Sequence, residues 1–155
     1  MSEPAQASDA DAQLHFEILQ FIGIASQLSA TKANRELATI DLPMPQFALL
    51  SHFSKSLTRP QTVTEVAAAF QMPVSGISKS LSKLVDRGFL STEGVAADAR
   101  QKHLKITPAG QAAFAGGVAR LAPFMERAFD GWLPAEKRQL QGQLRRLKDW
   151  LDRNR

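Results

Sequence analysis

Apolar residues recur along this chain with two periods, and the points where the period changes mark its elements. From Asp11 onward Leu14, Ile18, Phe21, Ile22, Ala25 and Leu28 return every three or four residues, which predicts an amphipathic helix running past Leu37. Phe16, Leu19 and Ile24 fall off that stripe and widen the apolar surface to more than one face. Such a helix needs its own domain on one side and a second subunit on another. Ser2 to Asp11 holds no Leu, Ile, Val or Phe and is expected to be a frayed tail. Pro43 and Pro45 open a second helix, with Phe47, Leu50, Phe53 and Leu57 on its apolar face. After a turn at Thr58-Arg59-Pro60, Thr62 and Glu65 have the spacing of a capping box ahead of a short helix over Val66 to Phe70.

Pro73 stops that helix, because its ring nitrogen has no proton to donate. A second short helix follows, with Val74, Ile77, Leu81 and Leu84 on one face and Ser75, Ser78, Lys79, Ser82 and Lys83 on the other. Gly88 ends it, since glycine readily takes the left-handed conformation past a helix end. The period then falls toward two. Phe89 to Thr92 and Lys102 to Thr107 predict two short strands around a polar loop from Gly94 to Gln101, a hairpin. Thr107-Pro108 is a helix start, and Phe114, Val118, Leu121, Met125 and Phe129 stripe the helix beyond it. Leu133-Pro134 breaks the pattern, and Leu140, Leu144, Leu147 and Leu151 form a heptad-like seam with Trp150 beside it.

The predicted fold class is therefore mainly α with a small β-hairpin wing: a winged helix-turn-helix domain flanked by N- and C-terminal dimerisation helices. The expected divisions are a disordered tail at 1–11, an N-terminal dimerisation helix at 12–43, the winged helix-turn-helix at 44–107 and C-terminal dimerisation helices at 108–155.

Composition narrows the chemistry. The chain has 155 residues, 44% apolar and 22% charged, ordinary for one globular domain with helical extensions. No apolar run approaches the roughly 18 residues that span a bilayer, and the N-terminus lacks a secretory pattern. The expected location is the cytoplasm, with no membrane partner. There is no cysteine, which excludes a disulfide framework, a thiolate zinc site and a thiol redox switch within the chain. His15, His52 and His103 form no pair at a helical ligand spacing, so no metal or other cofactor is expected. Nucleophile-elbow, P-loop and dinucleotide motifs are missing and the carboxylates do not cluster, which argues against an enzyme.

Charge is divided along the chain. Residues 1–43 carry Glu3, Asp9, Asp11, Glu17, Glu36 and Asp41 against Lys32 and Arg35, a net of −4, so with +4 overall the remainder holds +8. A basic remainder calls for a polyanionic partner. The helix pair suits one. Ala67 is small where the second helix must cross the first, and the second helix has an apolar side to hold it and a short polar side to enter a major groove. Serines reach phosphates or base edges without filling the groove, while Lys79 and Lys83, four apart, neutralise phosphates. An ordinary amphipathic surface helix has the same pattern, so the pair alone leaves both readings open.

The ordered series of motifs adds to this. Pro45-Gln46-Phe47-Ala48-Leu49-Leu50, Thr64-Glu65-Val66-Ala67, Ile77-Ser78-Lys79, Leu84-Val85-Asp86-Arg87-Gly88-Phe89-Leu90, Asp98-Ala99-Arg100-Gln101-Lys102 and Ile106-Thr107-Pro108-Ala109-Gly110 resemble the MarR family of winged-helix regulators over about residues 44–115. The resemblance implies a sequence-specific DNA-binding transcriptional regulator, expected to be a repressor, that acts as a homodimer on a pseudo-palindromic operator. Double-stranded DNA and a second copy would be its partners, and a small aromatic ligand its effector. The implied DNA-binding residues are Ser75, Gly76, Ser78, Lys79, Ser82, Lys83, Asp98, Arg100 and Lys102. Arg100 would enter the minor groove with Asp98 orienting it, and small Ala96, Ala97 and Ala99 would let the wing tip approach. His15, Phe16, Phe47, His52 and Phe53 are the candidate ligand cleft, the alternative being that the phenylalanines are core and the histidines surface.

The chain departs from the family pattern at Gln71 and Pro73, where a turn glycine and a capping serine are usual, at Gly76 early on the second helix, and at Ser80 on its inner side. The rival functional class is a winged helix that docks protein without binding DNA. Arg100 with Lys79 and Lys83 discriminates between the two, because a protein-docking wing needs no groove-reaching cation.

Overall fold

The structure, a computed structural model, describes the backbone of residues 4–95 and 98–154 and the side chains of residues 9–93 and 103–154. It divides into two compact units, Met1–Arg120 and Leu121–Arg155.

The first unit opens with α1 (Pro4–Ala38). This helix starts ahead of the apolar stripe, so the segment expected to fray is helical from Pro4 onward. The cause is local: proline suits the first helical position, and Ala5, Gln6, Ala7 and Ala10 are good helix formers. Among the described residues of α1, burial comes only near its far end, at Ala33 and Leu37. Asp41 then turns the chain with φ 51, and Leu42 is buried just beyond it. The next helix, α2 (Met44–Ser54), begins after Pro43 and buries Gln46, Leu49, Leu50 and Phe53. Leu57, expected on that face, lies past the end of α2 and is exposed.

A three-stranded antiparallel sheet has the order β1-β3-β2, with β1 (Gln61–Thr62), β2 (Leu90–Val95) and β3 (Asp98–Ile106). The hairpin of β2 and β3 is the one expected, but its strands run further. Gly94, Val95 and Asp98 of the stretch expected to be loop are paired, Gly94 with Lys102 and Val95 with Asp98, across an irregularity between Gly94 and Val95. Backbone pairing satisfies donors and acceptors whatever the side chains, and so extends the strands past the point where their alternation fades. Ala96 and Ala97 lie outside the described residues.

Between β1 and β2 come α3 (Val63–Phe70) and α4 (Val74–Asp86). Phe53, Leu37, Leu42, Leu50, Leu84, Leu90 and Val66 make up the fully buried centre, contributed by α1, its following turn, α2, α3, α4 and β2. Helix α5 (Pro108–Ala128) begins on this unit. Phe114 stacks on Phe47 with ring centroids 5.4 Å apart. Gly117 lies against that ring so closely that a Cβ there would stand 2.6 Å from Phe47 Cδ2. Glu36 of α1 takes Lys32 at 2.7 Å and Arg120 at 3.0 Å.

In the second unit, the end of α5 turns through Gly131, at φ 76, into α6 (Pro134–Arg153). Glu136 closes the start of α6 by accepting from the Leu133 N–H at 2.8 Å. Trp132 meets Phe129 edge-on, and Lys137 Nζ stands 6.0 Å from the same ring. No residue of α6 is buried. Leu144, Trp150 and Leu151 are exposed, and Leu140 and Leu147 only half-covered. Among the described residues no helix is long and apolar enough to cross a membrane.

Candidate nucleic-acid interface

The helix pair is fixed at its start by the capping box that the spacing of Thr62 and Glu65 predicts. Thr62 Oγ1 accepts from the Glu65 N–H at 3.2 Å, and Glu65 Oε2 accepts from the Thr62 N–H at 2.8 Å. The Thr62 amide holds the Glu65 carboxyl below its usual 4.5, with the Thr62 hydroxyl and Arg59 acting in the same direction. Arg59 Nη2 is 2.6 Å from Glu65 Oε1. At the crossing, Val66 and Ala67 are buried, as a close approach of two backbones requires.

The turn is made by residues that do not announce it. Gln71 takes the left-handed conformation at φ 53, ψ 39, the place where glycine is the usual occupant. Pro73 then occupies the N-cap of α4 in extended geometry, with no side-chain cap. Ile77, Leu81 and Leu84 anchor α4 in the core, whereas Val74, expected with them, is exposed at the first turn. Ser75, Gly76, Lys79, Ser82 and Lys83 are all exposed, so the polar face is assembled as expected. Ser78 differs. It is half-buried, and its hydroxyl donates back to the Val74 carbonyl at 2.6 Å, which leaves only its lone pairs for a partner. Ser80 is half-buried on the inner side.

The far end of α4 is tied by a residue that sequence reasoning did not single out. Arg87 Nη1 donates to the Asp41 carbonyl at 2.7 Å and to Gln46 Oε1 at 2.8 Å, and the Arg87 guanidinium carbon sits 4.7 Å from the Phe89 ring centroid. One clue was present. Gln46 interrupts the apolar face of α2, and a buried amide must find a partner. A second pairing of this kind joins His52 Nε2 and Gln61 Oε1 at 2.8 Å, with the His52 ring edge-on to Phe53 and Phe70.

In the hairpin, Leu90 pairs with Ile106 and Thr92 with Leu104, so the strand ends nearest the core are the apolar ones. Lys105 Nζ is 3.8 Å from Glu93. Asp98, Arg100 and Lys102 belong to β3, but their side chains lie outside the described residues. The root of the hairpin is fastened by Thr107. Its hydroxyl donates to the Gly88 carbonyl at 2.6 Å and accepts from the Gly110 N–H at 3.0 Å, while its N–H reaches the Phe89 carbonyl at 3.1 Å.

The five residues of the candidate ligand cleft differ in exposure. Phe53 is wholly buried and presents no surface to a ligand, because the α2 face it occupies is the core face. Phe47 and His52 are half-buried, engaged with Phe114 and Gln61. His15 and Phe16 are exposed on α1, His15 lying 3.5 Å from Asp11.

Residues 40–101, which contain the helix pair and most of the wing, match the model of the MarR family. Solved structures share the fold at low identity. A protein described as a MarR-family transcriptional regulator from Listeria monocytogenes, in complex with 26mer DNA, superposes with a TM-score of 0.73 at 18% identity, over 88% of this chain and 89% of that one. A MarR-family regulator from Rhodococcus gives 0.74 at 19%, over 86% and 95%. Apo MarR from E. coli gives 0.71 at 18%, over 83% and 93%. Among curated proteins, none matches the sequence significantly.

Proposed function

We propose that this chain, whose residues 40–101 match the MarR family model, is a DNA-binding transcriptional regulator working as a homodimer on a pseudo-palindromic site, with repression as its mode of action. One observation carries the reading. The exposed face of α4 offers Ser75, Lys79, Ser82 and Lys83 to solvent while Ile77, Leu81 and Leu84 hold the helix rigid in the core. Neither lysine has a carboxylate within ion-pair distance among the described residues. Two unneutralised cations on one exposed helix face suit a phosphate backbone. The Listeria structure, solved with 26mer DNA, supports DNA as the partner. Asp98, Arg100 and Lys102, in β3 next to this face in the chain order of the family, are assigned to the groove beside it.

Dimerisation is proposed from two exposed apolar surfaces. On α1, Leu14, Phe16, Leu19, Phe21 and Leu28 are all exposed; on α6, Leu144, Trp150 and Leu151 are. Apolar area of this extent ordinarily marks an interface. A two-fold dimer would bring two reading helices to half-sites about one helical turn apart.

A salt-controlled mobility-shift titration tests the proposal. Binding should weaken steeply with salt, and replacing Lys79 or Lys83 by Ala should lower the salt slope by about 1 each. Arg100→Ala should cost about 1–3 kcal/mol. Salt-independent binding, or none, favours the protein-docking class instead.

A further inference from the structure

The exposed start of α4 is not uniformly polar. Met72 and Val74 keep 44% and 46% of their surface exposed, on either side of Pro73, which is exposed too. Gly76 accounts for where the Met72 side chain lies. A Cβ placed on Gly76 would meet Met72 Cε at 3.4 Å and Pro73 Cγ at 3.6 Å. The thioether methyl therefore covers the spot from which a side chain at residue 76 would project. The Met72 backbone is held there by its N–H, which donates to the Ala67 carbonyl at 3.0 Å after the left-handed step at Gln71. The product is an apolar island of Met72, Pro73 and Val74 beside exposed Ser75 and Lys79.

Phosphate contact explains the lysines but gives no use for this island. Serine hydroxyls both donate and accept, so they discriminate weakly among base edges. An apolar surface discriminates differently. Of the four bases only thymine presents a methyl group in the major groove. Lys79 and Lys83, without carboxylate partners among the described residues, make the same face attractive to a polyanion and unattractive to an apolar protein patch.

We propose that Met72 and Val74 are specificity-determining residues that receive a thymine C5 methyl, and that Gly76 leaves the Met72 methyl room to do so, since a Cβ there would already touch it at 3.4 Å and a longer side chain would crowd it. This rests on the duplex-binding reading above. It locates base discrimination partly in the turn ahead of α4 rather than in the serines alone.

The test uses the full chain and a duplex selected from a random pool. Each thymine of each half-site is replaced in turn by deoxyuracil, which keeps the pairing edge and removes only the methyl. One or two positions per half-site should lose affinity about three- to fivefold, the factor for burying one methyl-sized group. In Met72→Ala and Val74→Ala that sensitivity should disappear. Gly76→Ser should also abolish it. Tolerance of deoxyuracil at every position in the unmodified protein overturns the proposal while leaving DNA binding intact. A failure to bind any duplex at low salt overturns both readings. Sensitivity retained in folded Met72→Ala and Val74→Ala overturns the proposal too, and with 44% and 46% of these side chains exposed the substitutions cost the core little.

Discussion

Arg87 Nη1 and Gln46 Oε1 are 2.8 Å apart, so the cation that caps the end of α4 is bonded to an amide buried in α2. The same nitrogen takes the carbonyl of Asp41, in the turn that ends α1. Gln46 is only 6% exposed, and without Arg87 its amide oxygen would be left in the core with no partner. Arg87→Ala should therefore cost about 1–3 kcal/mol of stability, the penalty for an orphaned buried acceptor. Denaturant unfolding measures it. Arg87→Lys should recover little, because one ammonium cannot also cover Phe89 as the guanidinium does. A loss of stability confined to a few tenths would show that the network carries nothing.

Gly110 makes the second prediction. A Cβ there would overlap the Phe89 carbonyl oxygen and stand 2.9 Å from Ile106 Cγ1. The first turn of α5 is pressed onto the root of the wing, and backbone cannot yield as a flexible side chain does. Gly110→Ala should cost about 1–3 kcal/mol, against the usual gain from replacing a helical glycine. Gly116→Ala is the control, since a Cβ there meets nothing within 4 Å. It should stabilise, and equal effects at the two positions in thermal unfolding would contradict this account.

The capping box of α3 predicts an acid-side loss of stability. Thr62 and Arg59 hold the folded Glu65 carboxyl below 4.5, so unfolding raises its pKa and favours proton uptake. The stabilisation is therefore complete above 4.5 and is lost as pH falls through the lower folded value. The stability gap between the native chain and Glu65→Gln should stay level at neutral pH and close below 4.5. Thr62→Ala should cost about 1 kcal/mol, as N-cap removals do. A gap that widened on acidification would reverse the assignment.

Phe21 and Leu28 test the dimer. They are 64% and 66% exposed in the single chain, so replacing them costs its core nothing. Phe21→Glu with Leu28→Glu should shift sedimentation from dimer to monomer while the folded signal in circular dichroism persists. A native chain that sediments as a monomer at micromolar concentration would remove the dimer altogether.

Much of the fold was legible because its elements carry strong local signals. Ile77, Leu81 and Leu84 fix the inward face of α4 by spacing alone, and Thr62 with Glu65 marks the N-cap of α3, although the helix begins at Val63, ahead of the expected Val66. The hairpin followed from Thr107-Pro108 and the change of period after Gly88. Strand β1 did not, since two residues, Gln61 and Thr62, are too few to show alternation and form a strand only because β3 lies beside them. The start of α1 carries no apolar stripe to mark it, because alanine propensity suffices to make the helix there. In the candidate site, the exposed serines and lysines were readable from helical period. The inward hydroxyl of Ser78, the bonds of Arg87 and the position of Met72 over Gly76 depend on tertiary neighbours, which no window along the chain contains.

Thr107 closes a circuit. Its hydroxyl spans 19 residues to the Gly88 carbonyl, and its amide reaches Phe89. The two ends of the wing are thus clasped to each other and to the start of α5, whatever sequence runs between them. Such a clasp makes the hairpin a cassette. Recombination or insertion beyond Glu93 can rewrite the tip without touching the bonds at its base, so a lineage can change what the wing contacts while inheriting an unaltered hinge point.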